Sequence, residues 1–449
     1  MKKTVLWVMV VPVVVMSGCA LFQARKVQKP AYSVGQEERM KRFDLDNGLT
    51  VFIRENPGSK TVALDAWVNT GAVNEPSPIN GISHFLEHML FKGTEKYKSG
   101  EIDKIIEGVG AVWNAGTSED FTHYYLSVAV PYFSNCLDVM AEVLKNSVID
   151  PVEVERERMV ILEEYRRKQD NPVGFLFEEV FTKSYVSGPY SDSVIGTTET
   201  ITAITRDDIV DYYHRYYTPD NMIFVVIGDI DTEQALSDIK RAFEGFDRKK
   251  RPFDIDYSHV YASRIRNSYK RQVGDMYLAM SFPAPGMNMA EDTYAMDMLS
   301  AIMGDGRSSR LNNRIKEKKH LVSSIDVSYG TQRLESLFLI SATLNPEKIE
   351  EAEKEIIAIV EELRSKKVSA KELEKARRMI INGYYFSTET NAGQSGVFGY
   401  YYTVTGSEAF EIKYLENLMK VTAEDIRQVA EKYLDPAARN VFYLDPSGQ

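Results

Sequence analysis

The chain has 449 residues, of which 44% are hydrophobic and 27% charged, and its formal net charge is −11. This length exceeds what a single hydrophobic core usually serves, so we expect two domains, and the composition is that of a folded soluble protein. The negative net charge argues against a nucleic-acid partner, because phosphate binding depends on Lys and Arg.

The first 18 residues have the features of an export signal. Two lysines precede an apolar stretch at residues 4–16. As a helix this stretch would span about 20 Å, less than the roughly 30 Å of a bilayer core, so a membrane-spanning helix is not expected. It ends in Met16-Ser-Gly-Cys19, which resembles the bacterial lipobox with Met in place of the usual Leu. We therefore expect a lipoprotein signal peptide (1–18) and lipidation of Cys19. The alternative is a plain secretory signal cleaved near Gly18.

A lipid on Cys19 makes the protein an exported bacterial lipoprotein, attached to the membrane by its lipid only. Ala20, where an Asp would favour the inner membrane, favours the outer membrane with the protein facing the periplasm. A polar tether (19–40) would follow. Cys136 then has no disulfide partner, and the apolar pattern around it predicts a small buried hydrophobic residue.

Two halves of the remaining chain repeat each other. Residues 151–165 match residues 370–384 at an offset of 219, and both read as amphipathic helices preceded by another helix (132–147 and 346–365). Residues 205–209 match 422–426 at an offset of 217, and each opens with a Thr followed three residues later by an acid, a capping-box pattern. The chain is therefore expected to be a degenerate duplication.

Strand-like runs complete each half. They lie at residues 49–54, 62–68, 222–227, 276–282 and 441–444, with a turn signal at 56–58. The sequence therefore predicts an α+β protein of two homologous mixed α/β domains, each a mostly antiparallel sheet with helices packed on it. The predicted boundaries are an N-terminal domain (41–246), a linker (247–271) containing a solvated basic run, and a C-terminal domain (272–449).

The motif His84-Phe-Leu-Glu87-His88 is the strongest chemical feature. On a helix the two histidines lie four residues apart on one face, with Glu87 beside them. Two neutral imidazoles at this spacing suit tetrahedral Zn²⁺, and Glu87 could reach a water on the metal. This is the inverted form of the His-Glu-x-x-His zinc motif. The alternative is a histidine pair on a solvated helix face.

At this point the chain resembles a known family, the pitrilysin-type zinc peptidases of the mitochondrial-processing-peptidase group, as a half-length bacterial member. The resemblance covers essentially all of the mature chain. It is carried by Gly81-Ile-Ser-His-Phe-Leu-Glu-His-Met-Leu-Phe-Lys-Gly-Thr94, Asn114-Ala-Gly-Thr-Ser118, Glu155-Arg-Glu-Arg-Met-Val-Ile-Leu-Glu-Glu164 and Gly188-Pro-Tyr190.

The resemblance implies one zinc ion per chain, with Glu164, 76 residues beyond His88, as the third ligand. It also implies that Glu157, seven residues earlier, is a second carboxylate that orients a histidine ligand. The alternative for both is a solvated acidic helix. The internal repeat supports the ligand assignment independently, since Glu157 and Glu164 correspond to Ala376 and Gly383 in the second half. The two histidines align loosely with residues 294–298, so the second half lacks all the ligands together.

The expected function is a zinc-dependent endopeptidase acting on peptides or unfolded segments, with Glu87 as general base on a zinc-bound water. By resemblance, an extended substrate would lie along an edge strand, with Asn114 as a contact, although residues 114–118 could equally form a plain surface loop. The alternative function is a non-catalytic scaffold or assembly subunit of a membrane-associated complex, since some members of the family serve this way after losing part of the motif. The intact motif here favours the enzyme.

Other notable residues are assigned structural roles. The aromatic run at residues 398–402 is expected to pack in the core or at the domain interface. The remaining histidines have no metal-ligand spacing and are expected to be structural: His123, His214, His259 and His320.

A departure from the family pattern bears on partners. Active members usually carry an Arg and a Tyr seven residues apart in the second half, and these positions fall on Lys316 and Ser323. Lys lacks the planar bidentate donors of Arg, and Ser is too short to replace a phenol. Either the register is shifted and Arg314 or Tyr329 fills the role, or a similar chain supplies the pair. We therefore expect a homodimer, or a heterodimer with a paralogous chain carrying the Arg/Tyr pair.

Overall fold

The structure is a computed structural model that describes residues 40–250 and 260–446. The predicted signal peptide, Cys19, His259 and nearly all of the predicted tether lie outside these ranges. None of the described helices is long and apolar enough to cross a bilayer.

Thirteen strands form two large sheets and one small one across the described ranges. The first sheet has the order β1-β2-β7-β3-β5-β4, the second β11-β12-β10-β13-β9, and the small one pairs β6 with β8. The strands are β1 (Lys41–Asp44), β2 (Thr50–Glu55), β3 (Thr61–Val68), β4 (Val112–Thr117), β5 (Thr122–Ala129), β6 (Tyr185–Ser187), β7 (Met222–Gly228), β8 (Val260–Tyr261), β9 (Arg266–Lys270), β10 (Met276–Ala284), β11 (Ser324–Tyr329), β12 (Ser336–Leu344) and β13 (Asn440–Asp445).

Fourteen α-helices accompany the strands in the described part of the chain. They are α1 (Ile82–Leu90), α2 (Glu101–Gly108), α3 (Phe133–Asn146), α4 (Pro151–Asp170), α5 (Pro172–Lys183), α6 (Thr198–Ala203), α7 (Arg206–Tyr216), α8 (Thr232–Ala242), α9 (Ala290–Gly304), α10 (Ile349–Ser365), α11 (Ala370–Ser387), α12 (Asn391–Thr405), α13 (Glu408–Lys420) and α14 (Ala423–Tyr433). A π-helix (Asn312–Lys318) precedes β11.

The two large sheets share one topology. Five strands of the first sheet, in the order β2-β7-β3-β5-β4, correspond one for one to β9-β13-β10-β12-β11 of the second. In both sheets the first two of these strands pair in parallel and the others antiparallel. This match confirms the predicted fold class of two homologous α+β halves.

One face of the first sheet packs against its own helices, where the core includes Phe85, Tyr124 and Cys136. Cys136 is fully buried, as the apolar pattern predicted. The opposite face packs against α12 from the second half: the Phe398 ring lies 4.7 Å from that of Phe52. The predicted packing role of the aromatic run is therefore confirmed. Gly399 permits this contact, because a Cβ there would lie 2.1 Å from Nε1 of Trp67.

Most predicted elements lie within a few residues of the observed ones, whereas several observed strands, among them β5 and β12, were not predicted. In two further regions the structure differs from the prediction. Residues 114–118 were considered as a possible surface loop. Residues 112–117 form strand β4, so all but the last residue of this stretch lies in a sheet. Within the predicted linker, residues 266–270 form β9, which pairs with β13 in the second sheet. The basic sequence around β9 has no clear strand pattern, and its pairing partner β13 is distant in the chain.

Candidate metal centre

Helix α1 presents the motif residues because its other faces are buried. Ile82, Phe85, Leu86, Met89 and Leu90 are fully buried in the core of the first half. The helix begins after Gly81, whose positive φ of 94° and close approach to the carbonyl of Ile195 both require glycine. The remaining face carries the two histidines and Glu87.

A buried carboxylate fixes the start of α1. Glu75 accepts hydrogen bonds from the backbone N–H groups of Gly81 at 2.6 Å and Ser83 at 2.8 Å. These N–H groups belong to the first turn of α1, where backbone N–H groups have no acceptor within the helix. Burial raises the pKa of Glu75 to about 7 in spite of these two hydrogen bonds. The hydroxyl of Ser83 also bonds that of Tyr212 from α7 at 2.8 Å, so two elements hold the start of the helix.

Helix α4 packs against α1 and brings the acidic residues to it. Asp150 caps its N-terminus by accepting from the N–H groups of Val152 and Glu153. Two turns of helix separate Glu157 from Glu164, so both carboxylates lie on the side that faces α1. Glu157 is buried, whereas Glu164 is half exposed.

The structure brings His84, His88 and Glu164 together, with one ligand atom of each within 4.8 Å of the other two. The Nε2 atoms of His84 and His88 lie 3.7 Å and 3.5 Å from the two carboxylate oxygens of Glu164. Ligands around a tetrahedral zinc at 2.0–2.1 Å stand about 3.4 Å apart. The donor types and the spacing therefore fit one Zn²⁺ with a fourth position open.

The pKa values of the two histidines are shifted in opposite directions. Burial and the neighbouring His88 lower the pKa of His84 to about 4. Burial also disfavours the charged form of His88, but its hydrogen bonds to Glu157 and Glu164 outweigh this and raise its pKa to about 9. The carboxylates thus attract positive charge to this point, and a bound metal ion would replace the proton there.

Glu157 is not one of the three ligand residues, but it contacts one of them, His88. Its Oε2 accepts from Nδ1 of His88 at 3.1 Å, which leaves Nε2 free to face Glu164. Its other oxygen pairs with the Lys92 ammonium at 2.9 Å. Burial alone would raise the pKa of Glu157, but the hydrogen bonds from His88 and Lys92 lower it. It therefore stays ionised and holds the His88 ring in one orientation.

Glu87 lies beside the cluster with its carboxylate held from one side. The Thr117 hydroxyl donates to Oε2 of Glu87 at 2.6 Å. Burial raises the pKa of Glu87 although this hydrogen bond opposes the shift. A carboxyl group with a raised pKa beside a metal site suits the exchange of a proton with a reacting group.

A cleft of about 290 Å³ opens next to these residues. Phe91 and Trp113 form one wall, with their ring centroids 4.5 Å apart. Asn114 also lines it, and its side-chain oxygen accepts from the N–H of Ala115 at 2.9 Å. The cleft thus runs from the cluster to strand β4 at the sheet edge.

The second half has no such cluster among its described residues. Helices α9 and α11 pack together as α1 and α4 do, but Ala376 and Gly383 stand where α4 carries its two carboxylates. Asp297 occupies the aligned position of Glu87, and the Tyr414 hydroxyl donates to it at 2.8 Å.

The residues considered for the Arg/Tyr pair are engaged within the second half. Arg314 pairs with Glu355 and Glu362 of α10, both at 2.7 Å. The Tyr329 hydroxyl donates to the carbonyl of Pro285 at 2.7 Å. Ser323 donates to the carbonyl of Thr343 at 3.0 Å, and Lys316 makes no ion pair with any described residue.

Thr117, Lys92 and Glu75 also belong to the site, although they were not predicted from the sequence. Thr117 and Lys92 lie within stretches that were singled out for other reasons, and their partners are distant in the chain. His123, which was assigned a structural role, lies 3.3 Å from the buried carboxylate of Asp65 on the opposite face of the sheet. His214 lies on α7, and His320 follows the π-helix with a positive φ of 51°.

Two histidines and a carboxylate that can hold one metal ion, with a further carboxyl group beside an open cleft, are the arrangement of a metal-dependent hydrolase. Known proteins agree with this class. Residues 50–198 match the family model described as insulinase (peptidase family M16), and residues 203–380 match that of the peptidase M16 inactive domain. The first range contains every residue of the cluster.

The zinc protease PqqE of Helicobacter pylori is 30% identical over 90% of this chain and 92% of its own length. The mitochondrial-processing peptidase subunit beta of Lentinula edodes is 25% identical over 87% of this chain and 86% of its own. The crystal structure of a protease from Helicobacter pylori superposes with a TM-score of 0.86 at 28% identity, covering 91% of this chain and all of that one. The chain belongs to the M16 family of peptidases. It is a metalloprotease, and Zn²⁺ is its expected cofactor.

Proposed function

We propose that this chain is a zinc-dependent endopeptidase of the inverted-motif type, acting on peptides or unfolded segments. His84, His88 and Glu164 would hold the zinc ion, and Glu87 would be the general base. The observation that carries the proposal is the convergence of these three donors, with one atom of each within 4.8 Å of the others. The Glu87 carboxylate is hydrogen-bonded to Thr117 and not to the three ligand residues. This supports a role for Glu87 other than metal binding.

Zinc held at this position would polarise a carbonyl and acidify water, as it does in other hydrolases. Glu87 takes a proton from the attacking water and later gives it to the leaving amine. Glu157 keeps Nε2 of His88 available by accepting from Nδ1. Lys92 balances the charge of Glu157, so that this buried carboxylate is not left unpaired.

The substrate would pair with the free edge of β4. This strand ends the first sheet and pairs only with β5 among the described strands. Since the N–H of Ser118 donates to Phe121, the alternation of antiparallel pairing turns the N–H groups of residues 113, 115 and 117 to the outside. An extended peptide can bond to these groups irrespective of its side chains. The amide of Asn114, now bonded to the N–H of Ala115, would exchange that contact for the substrate.

Removal and return of the metal test this function. The protein is treated with a strong chelator, dialysed, and assayed on casein and on unfolded peptides before and after one equivalent of zinc is added. We expect hydrolysis to be lost with the metal and restored by one zinc per chain. Hydrolysis that persists in metal-free protein would contradict the proposal.

The alternative of a non-catalytic scaffold has weaker support. A non-catalytic scaffold is expected to have lost its metal ligands. The second half of this chain has done so, since alanine and glycine stand there in place of the two carboxylates. The first half retains two histidines, three carboxylates and an open cleft. The three donor residues place one ligand atom each within 4.8 Å of the others, which supports metal binding by this half of the chain.

We propose further that a second, similar chain completes the catalytic chamber, either a copy of this chain or a paralogue carrying an Arg/Tyr pair. Arg314 and Tyr329, the alternatives within this chain, are bonded inside the second half, which supports a supply in trans. A relative named as a subunit, the beta subunit of a mitochondrial-processing peptidase, is consistent with this proposal.

Membrane attachment through lipid on Cys19 remains a proposal from the sequence, and so does the periplasmic side of an outer membrane as its location. Mass spectrometry of the mature N-terminus tests it. We expect cleavage before Cys19 and a mass increase from acyl chains. An unmodified N-terminus at another residue would contradict the assignment.

A further inference from the structure

Thr117 occupies an unusual place between two parts of the proposed machinery. It is the last residue of β4, and its hydroxyl donates to Oε2 of Glu87 at 2.6 Å. No other side chain or backbone group among the described residues forms a hydrogen bond with the Glu87 carboxylate. The orientation of this carboxylate therefore depends on one hydroxyl group.

The backbone of Thr117 belongs to the free edge of the sheet. The N–H of Ser118 donates to the carbonyl of Phe121 at 2.8 Å, so the N–H of Thr117 points away from β5. Its side chain points to α1, as the bond to Glu87 requires. One residue thus offers its backbone to a paired peptide and its side chain to the general base.

Both supports of this contact are rigid. Opposite Thr117 on β5, the buried Thr122 donates to the carbonyl of Thr70 at 3.0 Å. On the other side, α1 is held by Glu75 and by the hydroxyl pair of Ser83 and Tyr212. The Thr117 hydroxyl therefore fixes the Glu87 carboxylate relative to the sheet edge, and not only relative to its own helix.

We infer that Thr117 is a positioning residue that aligns the Glu87 carboxylate with a peptide paired on β4. This inference rests on the proposed function, since it assigns Glu87 as the base. The peptide's distance from the base is set by its pairing with β4, and the hydroxyl on that same strand turns the carboxylate toward it. A carboxylate freed from this bond would still lie near the metal ligands but would sample other rotamers.

Two substitutions separate the hydroxyl from the shape of the side chain. Thr117→Val keeps the volume and removes the donor, and Thr117→Ser keeps the donor and removes a methyl group. With one zinc bound, we expect Thr117→Val to lower kcat about 10- to 100-fold while KM changes less than about threefold. Thr117→Ser should retain kcat within about fivefold.

A second readout does not depend on turnover. A peptidyl hydroxamate binds zinc and donates its hydroxyl proton to a neighbouring carboxylate, so its affinity for the zinc-loaded protein reports the placement of Glu87. We expect Thr117→Val to weaken this binding about tenfold and Thr117→Ser to preserve it. Wild-type hydroxamate affinity in Thr117→Val, or equal losses in both variants, would overturn the inference. Failure of the zinc-loaded wild type to hydrolyse casein, both alone and with a partner chain, would instead contradict the proposed function.

Discussion

His88 stands between two carboxylates with different tasks. Glu164 faces its Nε2 at 3.5 Å and Glu157 accepts from its Nδ1 at 3.1 Å. A ring held at both nitrogens cannot rotate, so Nε2 keeps one direction, in which it can bind a metal ion once its proton is released. The charge of Glu157 is in turn held by Lys92, so the position of the imidazole depends on groups that never touch the metal.

Glu157→Gln tests this dependence. The amide can still lie beside His88, but it can present an N–H in place of an acceptor and has no charge to hold the ring tautomer. We expect zinc affinity, measured by competition with a chromophoric chelator, to fall about 10- to 100-fold. Glu163→Gln is the matched control, because Glu163 lies on the same helix but pairs with Arg166 and Arg167 and not with a histidine. Equal zinc affinity in the two variants would show that Glu157 does not orient His88 for metal binding.

Asp297 of the second half, which aligns with Glu87, also has a raised pKa. Withdrawal from water raises the pKa of Asp297 from 3.8 to about 7, although Tyr414 donates to it. Between these two values the native state keeps a proton on Asp297 that the unfolded state releases. The contribution of Asp297 to stability therefore falls as pH rises from about 4 to about 7 and is constant above. The loss is roughly 4 kcal/mol at most.

Asp297→Asn should remove this part of the pH dependence. We expect the free energy of unfolding, measured by urea titration at several pH values, to fall less between pH 4.5 and 7.5 in this variant than in wild type. Asp326→Asn is the control, since Asp326 is exposed on β11. Parallel curves for Asp297→Asn and wild type would show that Asp297 titrates normally.

Much of the candidate site could be predicted at the residue scale, for a physical reason. His84, Glu87 and His88 follow one another on a single helix, so helical spacing alone places them together. Glu164 required the family resemblance, because its approach to α1 depends on how two helices pack. Lys92, Thr117 and Glu75 were not predicted, since single polar residues with distant partners leave no pattern in a sequence.

Helix α12 is the element that joins the two halves most closely, and its packing depends on one glycine. Gly399 lies against Trp67 of the central strand β3, with no room for a Cβ. Helices usually disfavour glycine by about 1 kcal/mol relative to alanine, so its presence here reflects the close approach. The sequence predicted that the aromatic run would be packed, but not against which surface.

Gly399→Ala should therefore be destabilising, because its methyl group would have to displace a buried indole. We expect a loss of about 1 to 3 kcal/mol in the free energy of unfolding. Gly396→Ala, one turn earlier on α12, is the matched control: a Cβ there meets no atom within 4 Å. It should be neutral or stabilise by up to about 1 kcal/mol. Similar stabilities of the two variants would show that α12 is not held against Trp67.

Strand β4 shows why edge elements escape prediction. It contains Asn114 and Gly116, which weaken a strand pattern, and neither β4 nor its partner β5 was predicted from the sequence. The central strands β3, β7, β10 and β13 were recognised because they are apolar on both faces. The domain boundaries stay a prediction.

At the scale of the whole molecule, duplication gave two halves with one sheet topology and different chemistry. The repeat in the sequence indicated this because helix caps and apolar faces persist after ligands are lost. The loss leaves the second half free for another role, and an enclosing wall opposite the zinc would be such a role. Lys316 and Ser323 lack the groups that active members of the family are expected to place there.

Activity with and without a partner tests that arrangement. We expect low casein hydrolysis from the zinc-loaded protein alone and a large rise on adding a paralogue that has the Arg/Tyr pair and lacks the His-x-x-Glu-His motif. The same paralogue with its Arg changed to Ala is the control. Full activity of the isolated protein, unchanged in Lys316→Ala and Ser323→Ala, would show that no pair is needed.

The most direct test of the central claim is the pair of numbers obtained from Glu87→Gln: zinc per chain and rate of peptide hydrolysis. Glu87 is assigned as the base and not as a ligand, so this variant should retain one zinc per chain and lose hydrolysis by about 100-fold or more. His88→Ala and Glu164→Ala, measured alongside, should lose both. Wild-type turnover in Glu87→Gln, or zinc lost together with activity, would contradict the account.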